Sequence, residues 1–157
     1  MNMPVEPNTR PEAFVWPIRV YFEDTDTGGI VFYANYLKFF ERARTEWLRA
    51  CGIGQRSLSD ANGTMFVVRS TAVDYRAPAY LDDEIEVRSV ASRIGRASVD
   101  FDQQAWCAGT LLASGTIRVG CVERETMKPA AIPNEVLEAL QTGPRTQRGE
   151  LMTLRPY

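Results

Sequence analysis

The chain has 157 residues, 45% hydrophobic and 24% charged, with a formal net charge of −2, which fits one domain with its own core and gives no overall attraction to nucleic acid or an anionic membrane. Histidine is absent, so Ser-His-Asp and Cys-His nucleophilic sites are excluded, and most zinc and iron centres with them, because no CxxC pair replaces imidazole. No cofactor and no metal is expected, and Asp, Glu, Lys, Tyr and Cys remain as the acid–base groups.

Residues 1–13 carry three prolines and no apolar signal-like run, and read as a loose arm. "IRVYF" (18–22) is rich in β-branched and aromatic residues and reads as a strand, its start limited by Pro17. "EDTDTGG" is turn chemistry. A helix is expected from near Val31 to about Cys51, stopped by Gly52. Its apolar face is Tyr36, Phe40, Ala43, Trp47 and Leu48, and its polar face Lys38, Glu41, Arg42, Thr45 and Arg49. Phe39 falls nearer the polar side, as a border residue or a subunit contact. Glu41, Arg42, Arg44 and Glu46 read as a solvated or intersubunit charge network.

After a polar loop ("GQRSLSDANGT") the period changes to two. Met65, Val67, Thr71, Val73 and Tyr75 share one face of a strand, and "DEIEVRSVA" is a second. In "ASVDFDQQAWC" the inward set is Ala97, Val99, Phe101, Ala105 and Cys107, broken by Gln103. In "LLASGTIRVGCV" it is Leu111, Ala113, Ile117, Val119 and Cys121. "RIGRA" and "CAGT" are glycine turns that join strands into antiparallel hairpins. "KPAAIP" is extended, "NEVLEAL" (134–140) is a short helix, and 143–157 is a polar tail. Residues 14–142 therefore read as one α+β domain, a long helix on the dry face of a curled antiparallel sheet. No run is long enough to span a membrane. Cys51, Cys107 and Cys121 are odd in number and far apart, which suggests free thiols in a reducing, cytoplasmic setting.

"EDTDTGGIVFYANYLKFFERARTEWLR" and the later "ASGTIRVGCVERETMKPAAIP" resemble the hot-dog-fold acyl-CoA thioesterases, over roughly Ile18 to Pro133. The likeness is to the Tol–Pal-associated acyl-CoA thioesterases and to 4-hydroxybenzoyl-CoA thioesterase. It implies a central helix wrapped by a five-stranded antiparallel sheet, and a homodimer or homotetramer with sites between subunits. It also implies hydrolysis of an acyl-CoA substrate. Asp26 matches the family's catalytic aspartate. Tyr33 matches the position whose backbone N–H polarises the thioester carbonyl; many Tol–Pal-associated members carry histidine there, and the 4-hydroxybenzoyl-CoA enzyme carries tyrosine. Gly28, Gly29, Ile30 and Val31 complete the motif on the substrate side.

The chemistry is reasonable on the residues alone. Asp26 can activate water or attack the carbonyl itself. A helix start offers N–H groups without internal partners and the positive end of a dipole. Gly28 and Gly29 permit a sharp turn and close approach of a substrate. The plainer reading of Asp26 is a cap or turn former, and for Asp24 the structural reading leads. Glu23 could orient the loop. Coenzyme A carries phosphates, for which Arg93, Arg96 and Lys128 are candidates in or beside turns. Two rivals stand: a hot-dog dehydratase, which usually employs a histidine, and a non-catalytic acyl-CoA or acyl-carrier binding module.

Overall fold

The computed structural model describes residues 13–54 and 63–143. The expected arm and tail lie outside these residues except at Ala13 and Gly143, and so does the polar loop at 55–62. The elements are β1 (Phe14–Arg19), a 3-10 turn (Phe22–Asp24), α1 (Asn35–Ala50), β2 (Thr64–Tyr75), β3 (Glu84–Ile94), β4 (Ser98–Cys107), β5 (Thr110–Glu123) and α2 (Asn134–Thr142). The five strands form one antiparallel sheet in the order β1-β3-β4-β5-β2. This is the expected α+β layout with the long helix laid on the sheet.

α1 buries Tyr36, Phe40, Ala43, Trp47 and Leu48, as its spacing requires. Phe39 is fully buried too, its ring 5.7 Å from that of Tyr36. It belongs to the core because a sheet that curls around a helix covers a wider arc than a flat one. The expected charge network is partly turned inward. Glu46 pairs with Arg49 on the surface, but Arg44 reaches into the protein.

Three strand readings need correction. β1 begins at Phe14 and contains Pro17, while Phe22 lies in the 3-10 turn. Proline is tolerated there because β1 is an edge strand, hydrogen-bonded on one side only. In β2 the register slips between Val68 and Ser70. A bulge adds one residue and flips the side chains that precede it, so Phe66 faces the core side in place of Met65 or Val67. In β5 a slip opposite Ala105 and Trp106 puts Leu112 in the core in place of Leu111.

Gln103, the polar break in the β4 pattern, is completely buried. Its Nε2 donates to the main-chain oxygen of Phe40 (2.9 Å) and to Ser89 Oγ (2.8 Å), and its Oε1 accepts from Arg44 Nη1 at 2.9 Å. One side chain thus ties the middle of α1 to β3 and β4. Burial lowers the Arg44 pKa, with Glu41 opposing, so this guanidinium depends on the amide oxygen it has found. Gln103→Leu keeps the volume but leaves Ser89 and Arg44 unpaired. We expect a loss of about 2–4 kcal/mol of stability, read as a fall in Tm of roughly 10 °C. An unchanged melt would show that the network contributes nothing.

Candidate active site

The segment from Asp24 to Phe32 folds back on itself as a short hairpin. Phe32 N–H donates to the Asp24 carbonyl (3.0 Å), Thr25 bridges Val31, and Asp26 N–H donates to the Ile30 carbonyl (2.9 Å). Its tip is Thr27 to Gly29. Gly29 sits at φ 79°, which glycine adopts without penalty. Gly28 N–H donates to Asp26 Oδ1 at 2.8 Å, and a Cβ on Gly28 would approach that oxygen to 3.1 Å. The glycine pair therefore lets the backbone wrap the Asp26 carboxylate while the residue stays exposed.

The two acids of "DTD" have different surroundings. Asp24 is 4% exposed. Its Oδ2 accepts from Tyr21 N–H at 2.8 Å and its Oδ1 from Asn35 Nδ2 at 2.7 Å. It joins the exit of β1 to the start of α1. Asp26 accepts the Gly28 N–H bond and otherwise faces solvent. Glu23 is exposed.

α1 starts at Asn35, not near Val31. Ile30 and Val31 are held extended: Ile30 bridges Tyr80, and Val31 N–H donates to the Ala79 carbonyl at 2.9 Å. The chain then makes a tight turn through Tyr33 and Ala34 before the helix. Ala34 is helical at φ −70°, ψ −18° and no side chain caps it. Neither the Tyr33 nor the Ala34 N–H has an acceptor among the described residues. This turn thus offers two adjacent donors, as a helix entry should. The Tyr33 ring is 62% exposed, beside Phe32 and Tyr75.

Asp26, Gly28, Gly29, Ile30, Val31 and Tyr33 therefore share one loop. Arg93, Arg96 and Lys128 do not join them. β3 starts opposite Arg19, close to this loop, and Arg93 is near its far end, opposite Asp100. That is about 30 Å of strand at 3.3 Å per residue. Arg96 lies in the β3–β4 turn, and Lys128 follows β5 at that same end. A cavity of about 150 Å³ lies between α1, the sheet and α2, lined by Leu48, Phe66, Phe101, Val119, Val136 and Leu140 among others. It is smaller than the roughly 300–1,000 Å³ of ordinary ligand pockets; a more open cleft of about 590 Å³ lies between the end of α1 and α2, lined by Cys51, Ile53, Glu135 and Ala139 among others.

Asn35 and Tyr75 escaped sequence reasoning as site residues. Asn35 fell inside the helix expected from near Val31 and on neither of its named faces. Tyr75 looked like the end of an alternating strand. Tyr36, read only as a core residue, packs against Tyr75, and its phenol pKa is pushed up to about 12, first by burial and then by Tyr75.

The thioesterase-like superfamily model matches residues 20–140. The acyl-CoA thioesterase YbgC of Haemophilus influenzae is 44% identical over 127 residues, covering 81% of this chain and 93% of that protein. A probable thioesterase from Bartonella henselae superposes with a TM-score of 0.73 and 30% identity, over 77% of this chain and 99% of that one. A 1,4-dihydroxy-2-naphthoyl-CoA thioesterase from Synechocystis gives a TM-score of 0.78 over 82% and 96% of the two chains; at 21% identity it speaks for the fold alone.

The contrast between the two acids is measurable. Asp24→Ala strands the Tyr21 and Asn35 donors and should cost about 2–3 kcal/mol. Asp26→Ala removes one surface bond and should cost under about 1 kcal/mol. Thermal melts of the two variants check this, and equal losses would contradict it.

Proposed function

The chain belongs to the thioesterase-like superfamily and is an acyl-CoA thioesterase, and on that premise we propose that Asp26 is its general base or nucleophile, opposite the carbonyl-polarising N–H of Tyr33. The observation that carries the reading is the hairpin itself. It presents an exposed carboxylate on one arm, while the other arm runs into a turn with free N–H groups.

The thioester carbonyl oxygen lies against the Tyr33 N–H, which gains strength as the oxygen becomes an anion. Asp26 either takes a proton from the attacking water or bonds to the carbonyl carbon itself. In the first case the tetrahedral oxyanion collapses directly, the C–S bond breaks, and coenzyme A leaves as the thiol. In the second the Asp26 carboxylate displaces coenzyme A as the C–S bond breaks, giving an acyl-aspartyl anhydride and the thiolate; water then cleaves the anhydride to the free acid and the Asp26 carboxylate, and the proton released goes to the thiolate. Gly28 and Gly29 keep side chains away from the approach, and Ile30 and Val31 form the adjoining wall. No step needs a cofactor or a metal.

A site between subunits of a homodimer or homotetramer belongs to the same reading. β2 is a 12-residue edge strand, exposed from Val68 to Ala72. A long bare edge calls for a partner. β1, the other edge, is shorter and carries Pro17. Pairing of two β2 edges is also a way for Arg93, Arg96 and Lys128 of one subunit to serve the coenzyme A phosphates of another. The free thiols of Cys51, Cys107 and Cys121 favour a reducing, cytoplasmic setting.

Two experiments test the proposal. Asp26→Asn keeps size and turn hydrogen bonding but removes the basic oxygen, and should lower turnover by roughly 10²–10⁴ with unchanged coenzyme A binding. Retention of most activity would remove Asp26 from the mechanism. Light scattering of the full chain at micromolar concentration should give a dimer or larger. A monomer hydrolysing acyl-CoA at the full rate would exclude the intersubunit site.

A further inference from the structure

The turn that carries the free N–H groups is held from outside by the end of β2 and by the connector from β2 to β3. Two of its ties are main-chain: Val31 N–H to the Ala79 carbonyl, and the Ile30–Tyr80 bridge. The third is a side chain. Tyr75 Oη donates to the Tyr33 carbonyl at 3.0 Å.

Tyr75 is well placed to be rigid. It ends β2 opposite Ala113, and the next two residues both donate to the Leu112 carbonyl, Arg76 at 2.8 Å and Ala77 at 3.2 Å. Leu112 and Ala113 are buried in the core. The Tyr75 ring meets the buried Tyr36 ring at 5.6 Å and the Tyr33 ring edge-on at 6.0 Å. Partial burial, then Tyr33, pushes the Tyr75 phenol pKa above its ordinary value, so the hydroxyl remains a donor at neutral pH.

The bond matters because of what lies on the other side of the same peptide. The Tyr33 carbonyl and the Ala34 N–H share one rigid plane. Fixing the oxygen fixes the direction of the hydrogen, and a donor on the oxygen polarises that N–H further. Among the described residues the only other donor to this carbonyl, Tyr36 N–H, is at 3.4 Å, a weak contact.

We propose that Tyr75 is a positioning residue for hydrolysis: its phenol locks the Tyr33–Ala34 peptide so that the Ala34 N–H faces the thioester carbonyl. This rests on the reading that the turn polarises that carbonyl, and it adds the Ala34 N–H as a second donor beside that of Tyr33. Tyr75 itself does not touch the reacting atoms.

The test is Tyr75→Phe in the full chain, which keeps both ring contacts and removes the hydroxyl. Two substrates are compared: the acyl-CoA that the wild type turns over fastest, and its dithioester analogue. The C=S sulfur of the analogue is a poor hydrogen-bond acceptor, so it draws little on the N–H groups. With Tyr75→Phe, kcat on the thioester should fall about tenfold, part of the 10²–10³ that outright loss of one oxyanion donor costs. KM should stay within about twofold. On the dithioester kcat should fall by less than about threefold, for the same physical reason. A thioester kcat at the wild-type level overturns the inference. So does an equal fall on both substrates, which would mark general disruption of the site. Asp26→Asn in the same assay reports on the base separately. If that variant is inactive and Tyr75→Phe is unimpaired, the positioning role alone fails. If Asp26→Asn is active while the selective thioester loss is seen, the role of Asp26 fails and that of Tyr75 stands.

Discussion

The loop between β1 and α1 hangs on the carboxylate of Asp24. Taking a carboxylate out of water is costly unless hydrogen-bond donors surround it. Here they come from Tyr21, before the loop, and Asn35, after it, while the Asp24 main-chain oxygen takes the Phe32 N–H. The loop cannot open without stranding a buried acid. Two residues further on, Asp26 is left in solvent with one backbone partner. One short motif thus holds a buried acid that ties the loop together and an exposed acid with a single backbone partner.

The loop gains its second support from the sheet. Tyr75, the last residue of β2, reaches the Tyr33 carbonyl, and the connector that follows runs beside the loop and meets it at Ile30 and Val31. The strand that supplies this support is also the longer of the sheet's two edges.

Much of this was legible in the sequence. The helical face of α1, both hairpin turns and the inward set of β4 follow from periods of 3.6 and 2. The turn chemistry around Asp26 was legible in its immediate neighbours, and the proposal for its carboxylate comes from the longer motif around it. The failures have physical causes. Period two carries no sign of a bulge, so the faces of β2 and β5 slipped by one residue at Arg69 and Leu112. Pro17 looked like a strand breaker because an edge position is not visible in a single strand. Val31 looked helical, but its N–H is taken by Ala79, a contact made 48 residues away. The distance of Arg93, Arg96 and Lys128 from the loop within one protomer was not legible either, because charge and turn context say nothing about which end of the sheet a residue occupies. Gln103 looked like a flaw in an apolar pattern, because the carbonyl it serves belongs to another element.

The attachment of Gln103 to a backbone oxygen of α1 has a practical consequence. The carbonyl of residue 40 is present whatever side chain stands there, so axial slippage of the helix is opposed independently of its outer sequence. Of the solvent-facing positions, Glu41 and Arg49 carry bonds of their own, from Thr45 and to Glu46, so rewriting belongs at Lys38 and Arg42. A resurfacing library confined to them, made for immobilisation or for altered solubility, would leave the helix seated at the same height on the sheet.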